Sequence, residues 1–150
     1  MAVQRIEREQ RVAAPPDEVF EFFSRARNLE RITPAWLRFE VLTPGPIAIG
    51  PGTRIEYRLR LHAVPVRWVS RIEEWEAGRG FVDRQVRGPY RLWRHRHAFA
   101  PDGDGTVVHD RVDYLLPFGP LGRLAHAAFV ARDLQRIFDF RRDAVRRLLG

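Results

Sequence analysis

The chain has 150 residues, 45% hydrophobic and 30% charged, with a formal net charge of +7 and no cysteine. That length fits one domain with a real core, and the missing cysteines exclude disulfide frames, zinc–thiolate sites and thiol nucleophiles. All 26 basic residues are arginine and lie along the whole sequence, which reads as coding bias on a solvated surface, so no nucleic-acid partner is expected.

The opening MAVQRIEREQRV is charged throughout, unlike a signal peptide. No segment approaches the roughly 20 apolar residues of a membrane span. A cytoplasmic protein without an integral membrane segment is expected.

Val3 to Ala13 reads as a first strand. In AAPPDEVFEFFSR a helix begins: Pro16 suits the first turn, Asp17 and Glu18 suit the positive end, and Val19, Phe20 and Phe23 form its apolar stripe. A second short helix, Asn28 to Ile32, stops before Pro34. The period then changes to two. Strands are predicted over Arg38–Thr43, Thr53–His62, Pro65–Trp75, Phe81–Arg87, Arg91–Ala100 and Thr106–Leu116, with PDGDG as a hairpin turn. After Pro117, Gly119 and Pro120, a long helix runs from Leu121 to Leu149. Leu124, Ala128, Val130, Leu134, Ile137, Phe138, Val145 and Leu148 form its stripe. The fold class is α+β: about seven antiparallel strands curved around one long C-terminal helix, with two short helices after the first strand. One helix cannot fill such a sheet, so a cavity is expected between them.

The strand RLWRHRHAFA is the most informative stretch. Trp93, His95, His97 and Phe99 share one side; Arg94 and Arg96 take the other. Turning the first set outward would bury two guanidinium groups, which costs far more than burying two neutral imidazoles. The histidines therefore face the helix, and each buried ring needs hydrogen-bond partners. Asp83, Gln85, Asp110, Tyr57 and Tyr114 are the candidates. The strand holding Phe81, Asp83 and Gln85 has Val82 and Val86 on its opposite face, so its orientation stays open.

The order of elements resembles the helix-grip fold of the SRPBCC superfamily, which includes START lipid-transfer domains, pollen-allergen-like proteins and polyketide cyclases/dehydratases. The resemblance is carried by APPDEVFEFFSRARNLERITPAWLRFEV, GTRIEYRL, WVSRIEEWEAGRGFVDRQVRGPYRLWRHRHAF and DRVDYLLPFGPLGRL. They resemble a bacterial subgroup described as ligand-binding or cyclase-like. The resemblance spans nearly the whole chain and implies one domain over residues 1–150 with a sheet–helix cavity. It is specific for fold and weak for function.

The expected function is binding or carriage of a small hydrophobic molecule, without a cofactor. Tyr57, Trp68, Gln85, Trp93, His95, His97, Phe99, Tyr114 and Phe138 are the candidate lining residues. Trp36 and Trp75 add aromatic surface that suits a flat apolar ligand. The alternative is a cyclase/dehydratase-like enzyme in which His95, His97 and a carboxylate, Asp83 or Asp110, move protons. Two histidines at i and i+2 also suit a metal, but no motif fixes a third ligand, and none is expected. PDGDG lacks the remaining ligands of a calcium loop, and no nucleophile elbow or phosphate-binding glycine loop is present. The arginine-rich outer face of the long helix is balanced by Asp133, Asp139 and Asp143. A weak association with an anionic surface is the most it implies.

Overall fold

A computed structural model describes residues 3–150. Seven strands form one antiparallel sheet in the order β1-β7-β6-β5-β4-β3-β2. They are β1 (Gln4–Val12), β2 (Glu40–Val41), β3 (Arg54–Leu61), β4 (Val64–Glu76), β5 (Gly80–Arg87), β6 (Leu92–Asp102) and β7 (Gly105–Leu115). Helix α1 (Pro16–Phe23) follows β1, with Pro16 and two acidic residues in its first turn as the sequence requires. A continuous helical segment closes the chain: α2 (Gly119–Ala125), a π turn (His126–Val130) and α3 (Ala131–Leu149).

The differences from expectation are local. The second short helix is a 3-10 segment, Ala26–Arg31, and another, Ala35–Leu37, follows it. The strand expected over Arg38–Thr43 shrinks to two residues. Arg38 is left-handed with φ 47, and Pro44 lies just beyond, so little of the segment can pair. The β3–β4 turn is built from His62 and Ala63, both at positive φ (48 and 68). This geometry usually selects Asn or Gly. Here it is braced from outside by a His62 Nε2–Asp133 Oδ2 contact of 2.5 Å.

Two devices shape the sheet beneath the helix. The pairing of β4 with β5 slips between Ile72 and Glu74, a bulge that inserts Glu73. Glu73 and Glu74 therefore both point outward. Glu73 meets Arg84 and Arg94, and Glu74 meets Arg94 and Arg96. Ile72 and Trp75 both keep to the inner side, where Trp75 stacks on Phe81. At the start of β5, a Cβ on Gly80 would stand 2.3 Å from the His97 carbonyl oxygen. Glycine there lets β5 lie close against the strand that carries the histidines.

The C-terminal helix lays Leu134, Phe138, Arg141, Ala144 and Val145 against the concave face. Its end is tied down by backbone bonds from Ala13 to Gly150 and from Ala14 to Leu149. The core has two parts. One surrounds α1 and the inner faces of β3 to β6. The other joins Ile6, Val112 and Tyr114 to Leu134 and Phe138.

Candidate functional site

Strand β6 obeys the parity argument. His95, His97 and Phe99 are buried, while Arg94 and Arg96 lie on the more open side. Phe81 and Asp83 face inward as well, which settles the orientation of β5. In register, Asp83 stands opposite His95, and Asp110 stands opposite His97. The bonds run diagonally instead. His97 Nε2 meets Asp83 Oδ2 at 2.6 Å, and His95 Nε2 meets Asp110 Oδ1 at 2.8 Å. Diagonal neighbours across a pleated sheet lie within reach of an imidazole. The two rings stack with centroids 3.7 Å apart.

A fifth group completes the cluster. Arg141, only 9% exposed, reaches down from α3. One guanidinium nitrogen lies 3.2 Å from Asp110 Oδ1 and 3.3 Å from His97 Nδ1. The guanidinium also lies over the Phe23 ring, 5.2 Å from its centroid. Its Nε is the one fully buried side-chain nitrogen or oxygen without a partner among the described residues.

These contacts fix the protons. Burial, reinforced by His95, pushes His97 down to about 4 against the pull of Asp83, so the ring is neutral near pH 7. Burial alone would raise Asp110, but Arg141 first, then His95 and His97, hold it far below the usual carboxylate range. Burial alone would raise Asp83 too, but the hydrogen bond from His97 leads the influences that lower it instead. Ionised carboxylates only accept. Both Nε2 atoms therefore carry hydrogen, and His97 Nδ1 accepts from Arg141.

The Nδ1 of His95 is left over. It has no partner among the described residues, yet it is not a fully buried orphan. His95 lines a cavity of about 160 Å³ between sheet and helix. With Nε2 engaged by Asp110, Nδ1 is the one ring nitrogen that His95 has free beside that chamber. Asp83, His95, His97 and Arg141 contribute polar groups to its lining, beside Thr33 and Ser70. The walls are mostly apolar, with Leu37, Phe39 and Leu59 on one side and Leu134, Ile137 and Phe138 on the other. Trp68 is oriented by its own indole N–H, which donates to Ser70 Oγ at 3.0 Å.

Of the residues singled out from sequence, Tyr57, Trp68, Trp93, His95, His97, Phe138 and Asp83 line this cavity. Asp110 stands behind it and touches it through His95. Five others are placed elsewhere. Trp36 lies exposed on the surface, and Trp75 stacks on Phe81 away from the cavity. Gln85 Oε1 accepts from the Tyr90 N–H at 3.1 Å, and its Nε2 donates to the Tyr90 carbonyl at 2.7 Å, so it staples the β5–β6 connection. Phe99 stacks on Phe23, 5.1 Å between centroids, in the core beneath α1. Tyr114 shares a 2.7 Å hydrogen bond with His126 in the π turn. Sequence reasoning passed over Arg141. Its signal is an arginine standing three residues after Phe138 and four before Val145, on the apolar stripe itself.

Asp83, His95 and His97 also bring ligand atoms within 4.8 Å of one another, the one group among the described residues that could hold a metal. Arg141 sets a fixed positive charge against it, which opposes a divalent cation. The carboxylates already neutralise that charge. A wider groove of about 600 Å³ lies on the outer sheet face, with Arg71, Arg84, Arg87 and Arg91 in its lining.

The fold and the chamber define a class: an α+β helix-grip protein with an internal cavity and a charged cluster in its floor. The chain belongs to the polyketide cyclase/dehydrase and lipid transport family, whose model matches residues 3–150, and so to the SRPBCC superfamily. No protein with a curated description matches the sequence. Among solved structures, a Chromobacterium violaceum protein is similar at TM-score 0.73 and 14% identity, covering 97% of this chain and 96% of its own. A Thermus thermophilus protein gives 0.67 and 22%, covering 95% and 97%. The Zhui aromatase/cyclase of a Streptomyces species gives 0.68 and 17%, covering 98% and 96%. These likenesses show the fold. No helix among the described residues is long and apolar enough to cross a membrane.

Proposed function

We propose that the chamber binds a small, flat, largely apolar molecule carrying one hydroxyl or N–H donor. The observation that carries this reading is the Nδ1 of His95, left without a partner beside a mostly apolar chamber while Nε2 is bonded to Asp110. A hydrogen bond made to that nitrogen is worth roughly 0.5–1.5 kcal/mol, so a ligand that supplies the donor is preferred over one that does not. The family's description joins polyketide cyclisation or dehydration to lipid transport, and both need such a chamber.

A matched pair of probes tests this. In titration calorimetry, 2-naphthol binds about tenfold more tightly than naphthalene, the worth of one hydrogen bond. His95→Phe removes that difference and keeps the apolar contribution. Equal affinities in the unmodified protein would defeat the reading.

A second reading rests on the same pair of residues. His95 backed by an ionised Asp110 has the arrangement of an oriented general base, with Nδ1 as the atom that takes the proton. A ketone seated beside it would lose an α-proton to Nδ1, and Asp110 would steady the resulting imidazolium. Exchange of the α-protons of 2-tetralone in D₂O, followed by NMR, is expected to run about 10²-fold or more faster with the unmodified protein than with His95→Phe. Equal rates would leave binding as the function.

A further inference from the structure

The first part of the C-terminal helical segment is exposed where an apolar face should be covered. Phe118, Leu121, Leu124 and Phe129 are 79%, 71%, 67% and 59% exposed. Four large apolar side chains in one short segment form a patch, which solitary surface residues do not.

The π turn organises them. In an unbroken α-helix, Phe129 would lie about 80° around the axis from Leu121. The extra residue of the His126–Val130 turn sets Phe129 back to a seventh-residue position, within about 20° of Leu121. Leu121, Leu124 and Phe129 thus form one ridge. The face continues into Arg132 and Arg136, and Arg136 covers the exposed Trp36 ring at 5.0 Å.

This ridge leads to one end of the chamber. Phe129 meets the His62 ring at 5.9 Å between centroids. His62 follows the cavity-lining Leu61, and Trp36 precedes the cavity-lining Leu37. Leu134 and Ile137, on the next turns of the helix, line the cavity too.

Charge decides what covers the ridge. No aspartate or glutamate lies between Asp113 and Asp133, whereas Arg123 and Arg132 do. Asp133 itself is engaged by His62. A second copy docking through the same patch in a two-fold arrangement would bring these arginines together. We infer that the ridge of Phe118, Leu121, Leu124 and Phe129 docks on an anionic phospholipid bilayer, with Arg123, Arg132 and Arg136 at the headgroups and this end of the chamber turned to the lipid. Apolar insertion supplies the hold and the arginines supply the lipid selectivity. This surface differs from the arginine-rich outer face of the helix considered from sequence. It stands whether or not the chamber's ligand is the one proposed above.

Flotation with vesicles of phosphatidylcholine, alone or mixed with phosphatidylglycerol, tests it. The unmodified protein is expected to float with the anionic vesicles and to be released by high salt. Leu121→Ser/Phe129→Ser should cut the bound fraction about tenfold with an unchanged circular dichroism spectrum and melting curve. Arg132→Glu/Arg136→Glu should abolish the preference for phosphatidylglycerol. Arg71→Glu/Arg87→Glu, on the outer sheet face, should change little. Three results would each overturn the proposal: no flotation of the unmodified protein, equal loss in the sheet-face variant, or a dimer in sedimentation that the serine variant dissociates.

Discussion

Arg141→Leu is expected to lower the free energy of unfolding by about 3–5 kcal/mol, the loss typical of breaking a buried ion pair from one side. The cause is what remains. Asp110, 6% exposed, would lose the guanidinium that does most to hold it ionised against its burial. His97 Nδ1 would lose its donor as well. Removing the anion together with the cation should recover part of the loss, because no uncompensated charge is left buried, although the His95 Nε2–H still loses its acceptor. Urea unfolding of Arg141→Leu and of Arg141→Leu/Asp110→Leu measures both. A single-variant loss below about 1 kcal/mol, the range of exposed pairs, would mean that the cluster is far wetter than its burial indicates.

The second large effect is with acid. Unfolded histidine titrates near 6.5, whereas folded His97 titrates at about 4. Above pH 6.5 neither state binds the proton, and His97 contributes no slope. Between 6.5 and 4 the unfolded chain takes up a proton that the folded one refuses, so stability falls, by about 3 kcal/mol in all. Below 4 this contribution is constant. Asp110 acts in the next window. Its folded value is depressed, so its stabilisation is complete above the unfolded carboxylate range and is lost as pH drops below it. Unfolding free energies measured from pH 8 to 3 should therefore begin to decline near pH 6.5 and continue to decline below 4. His97→Asn should flatten the upper part and leave the lower. A profile for the unmodified protein that is flat from 6.5 to 4 would show that His97 charges freely in the fold.

The inner face of β6 was legible because burying Arg94 and Arg96 would have been so costly; periodicity alone would not have decided it. The long helix was legible from the spacing of Leu134, Ile137, Phe138 and Val145. What the sequence concealed depends on contacts between distant segments. Arg141 reads as a surface arginine until the helix is laid over β6 and β7, where Asp110 and His97 receive it. Gln85 has the parity of a lining residue, yet the turn beyond it brings the Tyr90 backbone within its reach. Asp83 and Asp110 were both candidates for the histidine protons. The diagonal choice between them follows from side-chain reach across the pleat, which strand pairing does not specify. The π turn has no proline or glycine to announce it within His126–Val130.

The proposed binding rests on His95 Nδ1 as the acceptor beside the chamber while Asp110 holds the Nε2 proton. Long-range ¹H–¹⁵N correlation spectra of the imidazole rings at neutral pH, with and without 2-naphthol, test it most directly. The expected result is an unprotonated Nδ1 on His95 that shifts when the naphthol hydroxyl binds, with Nε2 protonated on both His95 and His97 throughout. A His95 protonated on Nδ1, or an Nδ1 signal indifferent to a bound naphthol, would contradict it.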